Sequence, residues 1–216
     1  MGREMKNWAV LFIFLFVSGM PAFSVQSGGV EYVVPIDYSL LDEKAINDDA
    51  EKLFSEFINS PEKINNPEFM ENLINDYAVL SKINKDNPLY FVRLGIIYDK
   101  TGKDCWAKSN FCRGANLIPD YPYAFFSFGN YFFDRLEYRK ALREYLRAND
   151  CGYGDNPENL FKIGVIYEKT GDYSNAIKYY RAANAKQNKP EISKKIQILE
   201  DKLKINSLYN ESCGRK

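Results

Sequence analysis

The sequence predicts an all-α fold, a solenoid of antiparallel helix pairs stacked one on the next. Three observations carry the prediction. Glycines Gly95, Gly129 and Gly164 recur with a period near 34 residues, and Ala107, Ala141 and Ala176 keep the same spacing. Around them, large apolar residues return at intervals of three and four: Phe91, Leu94 and Tyr98, then Phe125, Phe128 and Phe132, then Leu160, Ile163 and Tyr167. A helical period nested in a fixed longer period marks units that bury their apolar faces only by stacking.

Taken in chain order, the first element stands outside the solenoid. Arg3 and Lys6 precede an apolar run from Trp8 to Val17, and Ala22 and Ser24 place small residues at alternate positions behind it. This is the layout of a secretory signal peptide over residues 1–24. The run is too short to cross a bilayer, which takes about 20 apolar residues. Export to a periplasm or the extracellular space is therefore expected, with cleavage after Ser24. Residues 25–39, with Gly28-Gly29 and Pro35, read as an extended linker. Residues 40–84 hold two helical patterns, Leu40 to Ile58 and Pro67 to Ile83, that lack the glycine and alanine landmarks. They read as a degenerate helix pair capping the stack, since an unpaired terminal unit would expose its apolar face.

Three units follow over residues 85–189, at about 88–121, 122–156 and 157–190. Asn87-Pro88 and Asn156-Pro157 are helix starts, with asparagine as cap and proline in the first turn. Gly102 and Gly171 fall in the inter-helix turns, where a positive φ is easiest for glycine, but the second unit has Leu136 there. The small landmarks let backbones approach: glycine of the first helix meets the second helix, and alanine of the second meets the first. Pro190 to Lys204 forms a C-terminal capping helix (190–205) with Ile192, Ile196 and Leu199 on its inner face. Residues 206–216 read as a disordered tail.

The pattern Phe91-x-x-Leu94-Gly95-x-x-Tyr98, Ala107-x-x-x-Phe111, Pro119 and its two further copies resembles the tetratricopeptide repeat (TPR). The resemblance implies a right-handed superhelix whose concave groove is lined by the first helix of each unit. Carried onto this sequence, the groove positions are Leu89, Val92, Ile96 and Asp99, then Tyr123, Phe126, Asn130 and Phe133, then Glu158, Phe161, Val165 and Glu168. The expected binding surface is Val92, Ile96, Tyr123, Phe126, Asn130, Phe133, Phe161 and Val165, an apolar and aromatic groove with Asn130 placed to hydrogen-bond a ligand. Some members of the family grip a partner's C-terminal carboxylate with basic residues. Here those positions hold Val92, Ile96, Ser127 and Glu158, with only Lys162 basic, which argues against such a clamp. An alternative reading fills the groove in cis, with the Leu40–Ile58 helix or the linker.

Composition narrows the function. The chain has 29 Lys plus Arg against 29 Asp plus Glu, so nothing in its charge favours nucleic acid or an anionic membrane. It contains no histidine, which removes Ser-His and Cys-His nucleophile pairs and most zinc sites. No metal and no cofactor is expected. The 16 Tyr and 15 Phe fit thick helical layers. Of the four cysteines, Cys105 and Cys112 lie seven apart on one helix, about 10 Å and too far to bridge. Cys151 and Cys213 are freer to pair, and a buried free thiol is expected for at least one of the four. Asn210-Glu211-Ser212 is a glycosylation tripeptide of little weight. Asp99, Asp134, Glu158 and Glu168 read as helix-end and surface charges, not a catalytic pair. The reading is an exported, non-enzymatic scaffold or adaptor that binds a protein or peptide, such as an amphipathic helix. The alternative is an accessory or catalytic unit of an envelope enzyme, with the groove shaping a substrate.

Overall fold

The computed structural model describes residues 22–27, 30–35 and 37–212, in two units, Met1–Ala45 and Ile46–Lys216. Most of the signal-peptide reading and Gly28-Gly29 of the linker fall outside the described residues. In the first unit, β1 (Ala22–Ser27) pairs antiparallel with β2 (Val30–Pro35), Ala22 opposite Pro35 and Ser27 opposite Val30. The backbone expected at 25–39 as an extended linker is extended and largely paired at 25–27 and 30–35. The β-branched and aromatic run Val30-Glu-Tyr-Val-Val34 suits a strand, a signal outweighed at the sequence level by the neighbouring glycines. Cleavage after Ser24 would take away the first three positions of β1.

The helices are α1 (Glu43–Asn59), α2 (Pro67–Ile83), α3 (Pro88–Lys100), α4 (Asp104–Leu117), α5 (Pro122–Asp134), α6 (Tyr138–Ala148), α7 (Pro157–Thr170), α8 (Tyr173–Gln187) and α9 (Pro190–Ser212). Their starts follow from local chemistry. Asn66, Asn87 and Asn156 each accept a bond from a first-turn backbone N–H, with proline next in sequence. Helices α3/α4, α5/α6 and α7/α8 form the three units of the solenoid.

One contact recurs in every unit. A Cβ built on Gly95 would sit 2.8 Å from the Phe111 ring, on Gly129 2.6 Å from Tyr145, and on Gly164 2.7 Å from Tyr180. Each glycine therefore seats the aromatic ring of its own second helix against bare backbone. Ala107, Ala141 and Ala176 are fully buried at the reciprocal positions. The landmarks are small because the rings beside them are large.

The turns repeat as closely. In the first unit Gly102 N–H bonds Asp99 C=O and Lys103 N–H bonds Tyr98 C=O; Gly171 and Asp172 make the same pair to Glu168 and Tyr167. Leu136 and Glu137 reproduce it on Phe133 and Phe132, with Leu136 at φ 59° against 72° for Gly102 and 84° for Gly171. The second unit keeps the turn and places a leucine in the left-handed region. That conformation strains an L-residue by about 1–2 kcal/mol, and the exposed side chain recovers little of it. Replacing Leu136 with Gly is expected to stabilise the protein by about 0.5–1 kcal/mol after glycine's larger entropy loss, read as a rise in the urea midpoint.

The longer spacing between the second and third units is taken up at Asn149–Tyr153, a wide π-type turn that carries Gly152 at φ 120°. At the N-terminal end, α1 and α2 meet α3 through Phe54, Phe57, Leu73, Tyr77 and Tyr90. At the other end α9 packs Ile192 and Leu199 inward and ties down through Lys195 to Glu168 (2.9 Å) and Glu200 to Arg181 (2.6 Å). The helix expected to stop at 205 runs on to Ser212, so the segment read as a tail is helical through that residue. Cys213 lies outside the described residues. Cys105 and Cys112 are exposed and Cys151 half-buried, all three free, so no described cysteine is the buried thiol the sequence led us to expect.

Candidate functional site

The first helices α3, α5 and α7 run side by side, and the polar residues their faces leave over converge on a cleft of about 310 Å³. Ile96, Asp99 and Lys100 come from α3, Tyr123, Phe126, Asn130 and Asp134 from α5, and Glu158 and Lys162 from α7. A second cleft, of about 420 Å³, continues from it. Glu158 and Lys162 line both, and Phe161, Lys189 and Lys195 bring the second to the start of α9.

The charges in the first cleft are not equivalent. Asp99 is held by Arg135 at 2.8 Å, and Arg135 also reaches Asp104 at 2.6 Å while stacked 3.8 Å from the Tyr131 ring centre. Burial, with the hydrogen bond to Asp104, pushes the Tyr131 phenol up to about 12. Asp134 and Glu158 are exposed and form no ion pair among the described residues. Both bear on Tyr145 beneath them, whose phenol is pushed up first by burial and then by these two carboxylates. Tyr145 donates its hydroxyl proton to Asn130 Oδ1 at 2.7 Å. That fixes the carboxamide and turns its NH2 into the free donor. Lys162 sits with its ammonium 4.4 Å from the Phe133 ring centre.

Of the positions expected to form the groove, Ile96, Tyr123, Phe126 and Asn130 line the first cleft and Phe161 the second. Val92 is fully buried and belongs to the core between units. Phe126 is 9% exposed, its ring against Tyr145 and Tyr153, and Phe133 packs on Tyr138 and Tyr145. Val165 packs in the C-terminal cluster of α7, α8 and α9. The aromatics thus form the wall and foundation of the cleft, and its reachable groups are polar. Asp134, Glu158 and Lys162 are the members that sequence reasoning set aside. Their signal was their place, one helical turn from Asn130 on α5 and in the first turns of α7.

No residue of α1 lines either cleft, so the helix put forward as a filler in cis does not occupy this groove. Glu51 of α1 instead takes a bidentate bond from Arg93 of α3, at 2.9 Å and 3.1 Å, and Arg93 reaches on to the Tyr123 hydroxyl at 3.1 Å. The degenerate pair packs on α3 through side chains, without the close helix-to-helix approach of the three units. Among the described residues no group of histidine, cysteine and acidic side chains is arranged to hold a metal.

Comparison with known proteins places this architecture. The tetratricopeptide repeat family model matches residues 157–185, which are α7 and most of α8. The third unit matches the repeat model, and the stack as a whole has the TPR fold. Solved TPR structures resemble it over most of its length: pilF of Pseudomonas aeruginosa has a TM-score of 0.62 at 12% identity, covering 75% of this chain and 71% of that one. MamA from Desulfovibrio magneticus RS-1 gives 0.59 at 13%, covering 78% and 89%. A second MamA structure gives 0.56 at 16%, covering 76% and 90%. At these identities the likeness is one of fold, and it carries the TPR stack without carrying a partner. No curated protein matches this chain by sequence.

Proposed function

We propose that the protein is an exported TPR scaffold whose concave face holds an extended or helical segment of a protein partner, and that it is not a catalyst. The observation that carries the reading is the cleft: a pinned amide donor, two unpaired carboxylates and a lysine, set on aromatic walls that packing holds rigid. Peptide recognition needs such groups at fixed positions, with polar contacts giving register and apolar walls giving area. The free charge shifts along the groove, from Asp134 and Glu158 to Lys162 and Lys189, with Lys100 at the acidic end, Glu191 at the basic end and Lys195 already held by Glu168. A partner segment with a basic residue over α5 and acidic residues toward α9 fits that order.

Reversing Asp134 and Glu158 together to lysine tests the reading cleanly. Both side chains are exposed, so the melting temperature should stay near that of the parent. Capture of a crosslinked partner from an envelope extract is expected to fall at least tenfold. Unchanged capture would move the binding surface elsewhere. Export rests on the basic start, the apolar run from Trp8 to Val17 and the Ala22/Ser24 pair. N-terminal sequencing of the secreted or periplasmic protein should begin at Val25, and protein retaining residues 1–24 in the membrane would contradict it.

A further inference from the structure

A second periodic landmark ties each first helix to the one before it. Helices α3, α5, α7 and α9 open on Pro88, Pro122, Pro157 and Pro190, and their sixth residues are Arg93, Ser127, Lys162 and Lys195. Three of these four are cations, and each lays its charge on the preceding helix of the row. Arg93 holds Glu51 of α1 and lies 4.0 Å from the Phe54 ring centre. Lys162 lies 4.4 Å from the Phe133 ring centre of α5, and Lys195 bonds Glu168 of α7 at 2.9 Å. Phe133 and Glu168 are the twelfth residues of their helices, where α3 has Asp99. The junction of α3 with α5 is the exception. There Ser127 stands in the place of the cation, and the cleft of about 310 Å³ opens beside it.

We propose that this cleft is a receptor for an arginine side chain, brought by the partner segment into the place that Ser127 leaves empty. The inference rests on the peptide-binding reading above and names the side chain that anchors there. Two groups at the gap lack a donor. Asp99 gives Oδ1 to Arg135, and its Oδ2 takes no bond among the described residues. Ser127 borders the cleft at 5% exposure, and its hydroxyl makes no hydrogen bond among the described residues. Buried polar groups are costly to leave so, and a donor entering the cleft satisfies both. Three carboxylates, Asp99, Asp134 and Glu158, outnumber the two lysines on the border, of which Lys162 already lies on Phe133. These acceptors come from three helices, and Tyr123 and Phe126 set aromatic rings among them. A planar guanidinium answers several acceptors at once while its face lies on a ring. Arg93 does this one junction earlier, between Glu51, the Tyr123 hydroxyl and Phe54. A lysine offers its donors from a single point and meets fewer of these groups.

Titration of the protein with Nα-acetyl-arginine amide, followed by nitrogen-edited NMR, reads the receptor directly. Saturable shifts of the Ile96, Ser127 and Asn130 amides are expected, with a dissociation constant on the order of 1–10 mM. The lysine analogue should bind several-fold more weakly, and the uncharged citrulline analogue should not bind. Ser127→Arg supplies the missing side chain from within, as at the sister positions, and should abolish binding. Asp134→Asn/Glu158→Gln changes only exposed side chains, leaves the fold undisturbed and should weaken binding at least threefold. Citrulline binding as well as arginine overturns the inference, as do shifts confined to other surfaces or affinity undiminished in Asp134→Asn/Glu158→Gln. Partner capture separates this inference from the reading beneath it. Capture lost in Asp134→Lys/Glu158→Lys but kept in folded Ser127→Arg leaves the groove standing and overturns the arginine receptor. Arginine binding that Ser127→Arg removes, with capture unchanged in both variants, supports the receptor and overturns the groove as the partner's seat.

Discussion

Replacing Gly129 with leucine is expected to destabilise the protein by about 3 kcal/mol, a fall in melting temperature of roughly 6–12 °C for a chain of this size. The first added carbon alone would lie 2.6 Å from the Tyr145 ring, closer than any real contact. The ring has nowhere to go, because Tyr145 is fully buried, packs at a tilt against Phe126 and Phe133, and is anchored at its hydroxyl by Asn130. Relief has to come from moving α5 away from α6. Exposed Lys178 changed to Ala serves as the control, with an effect below about 0.5 kcal/mol. Thermal melts of both variants decide the matter, and a Gly129→Leu protein as stable as the control would contradict the seat described for the ring. Adding Tyr145→Ala to Gly129→Leu should recover part of the loss, since the two side chains compete for one space.

Arg93→Ala is the second large effect, about 2–3 kcal/mol. The guanidinium does three jobs at once: it holds the Glu51 carboxylate in a bidentate bond, reaches the Tyr123 hydroxyl, and lies 4.0 Å from the Phe54 ring centre. Its side chain is 18% exposed and that of Glu51 35%, so the loss falls below the 3–5 kcal/mol typical of a fully buried pair. Removal leaves Glu51 with the Tyr77 hydroxyl as its partner in this network. A double-mutant cycle with Glu51→Ala should return a coupling of about 1 kcal/mol or more. Arg93→Lys should be intermediate, keeping the charge and losing the fork. Additive single effects would mean that α1 is held by its aromatic contacts alone.

The repeats were legible because packing leaves no freedom at their landmarks. A ring pressed against backbone admits glycine alone, so Gly95, Gly129 and Gly164 show in the sequence as plainly as in the fold. The N-terminal pair was harder to read as a unit, since Phe54, Phe57 and Tyr77 hold its helices through side chains and need no small residue between them. The groove was half legible. Helical period says which face a residue is on, but the face shared by α3, α5 and α7 serves the neighbouring unit as well as the cleft. Val92 went to the neighbour, and Phe126 lines the cleft while its ring packs down on Tyr145 of its own unit. Asp134 and Glu158, discounted as helix-end charges, stand on the rim for that same reason, because the groove is built from helix ends as well as helix middles. In α9, Ile205 and Leu208 follow the helical spacing, but with no inner partner to face they gave no sign that the helix continued past residue 205.

The three buried tyrosines Tyr77, Tyr145 and Tyr180 share a design whose consequence is chemical. Each hydroxyl donates across the layer, to Glu51, Asn130 and Glu168 in turn, and burial raises each phenol above its ordinary range. For a phenol the raised value means that the folded chain keeps its proton where the unfolded chain releases it. The stabilisation they give is complete below about pH 10 and drains away as pH climbs beyond it. With one such phenol in the N-terminal pair, one in the second unit and one in the third, alkali attacks nearly the whole length of the array at once. The absorbance of newly formed tyrosinate then becomes a native optical gauge of how far each layer has opened.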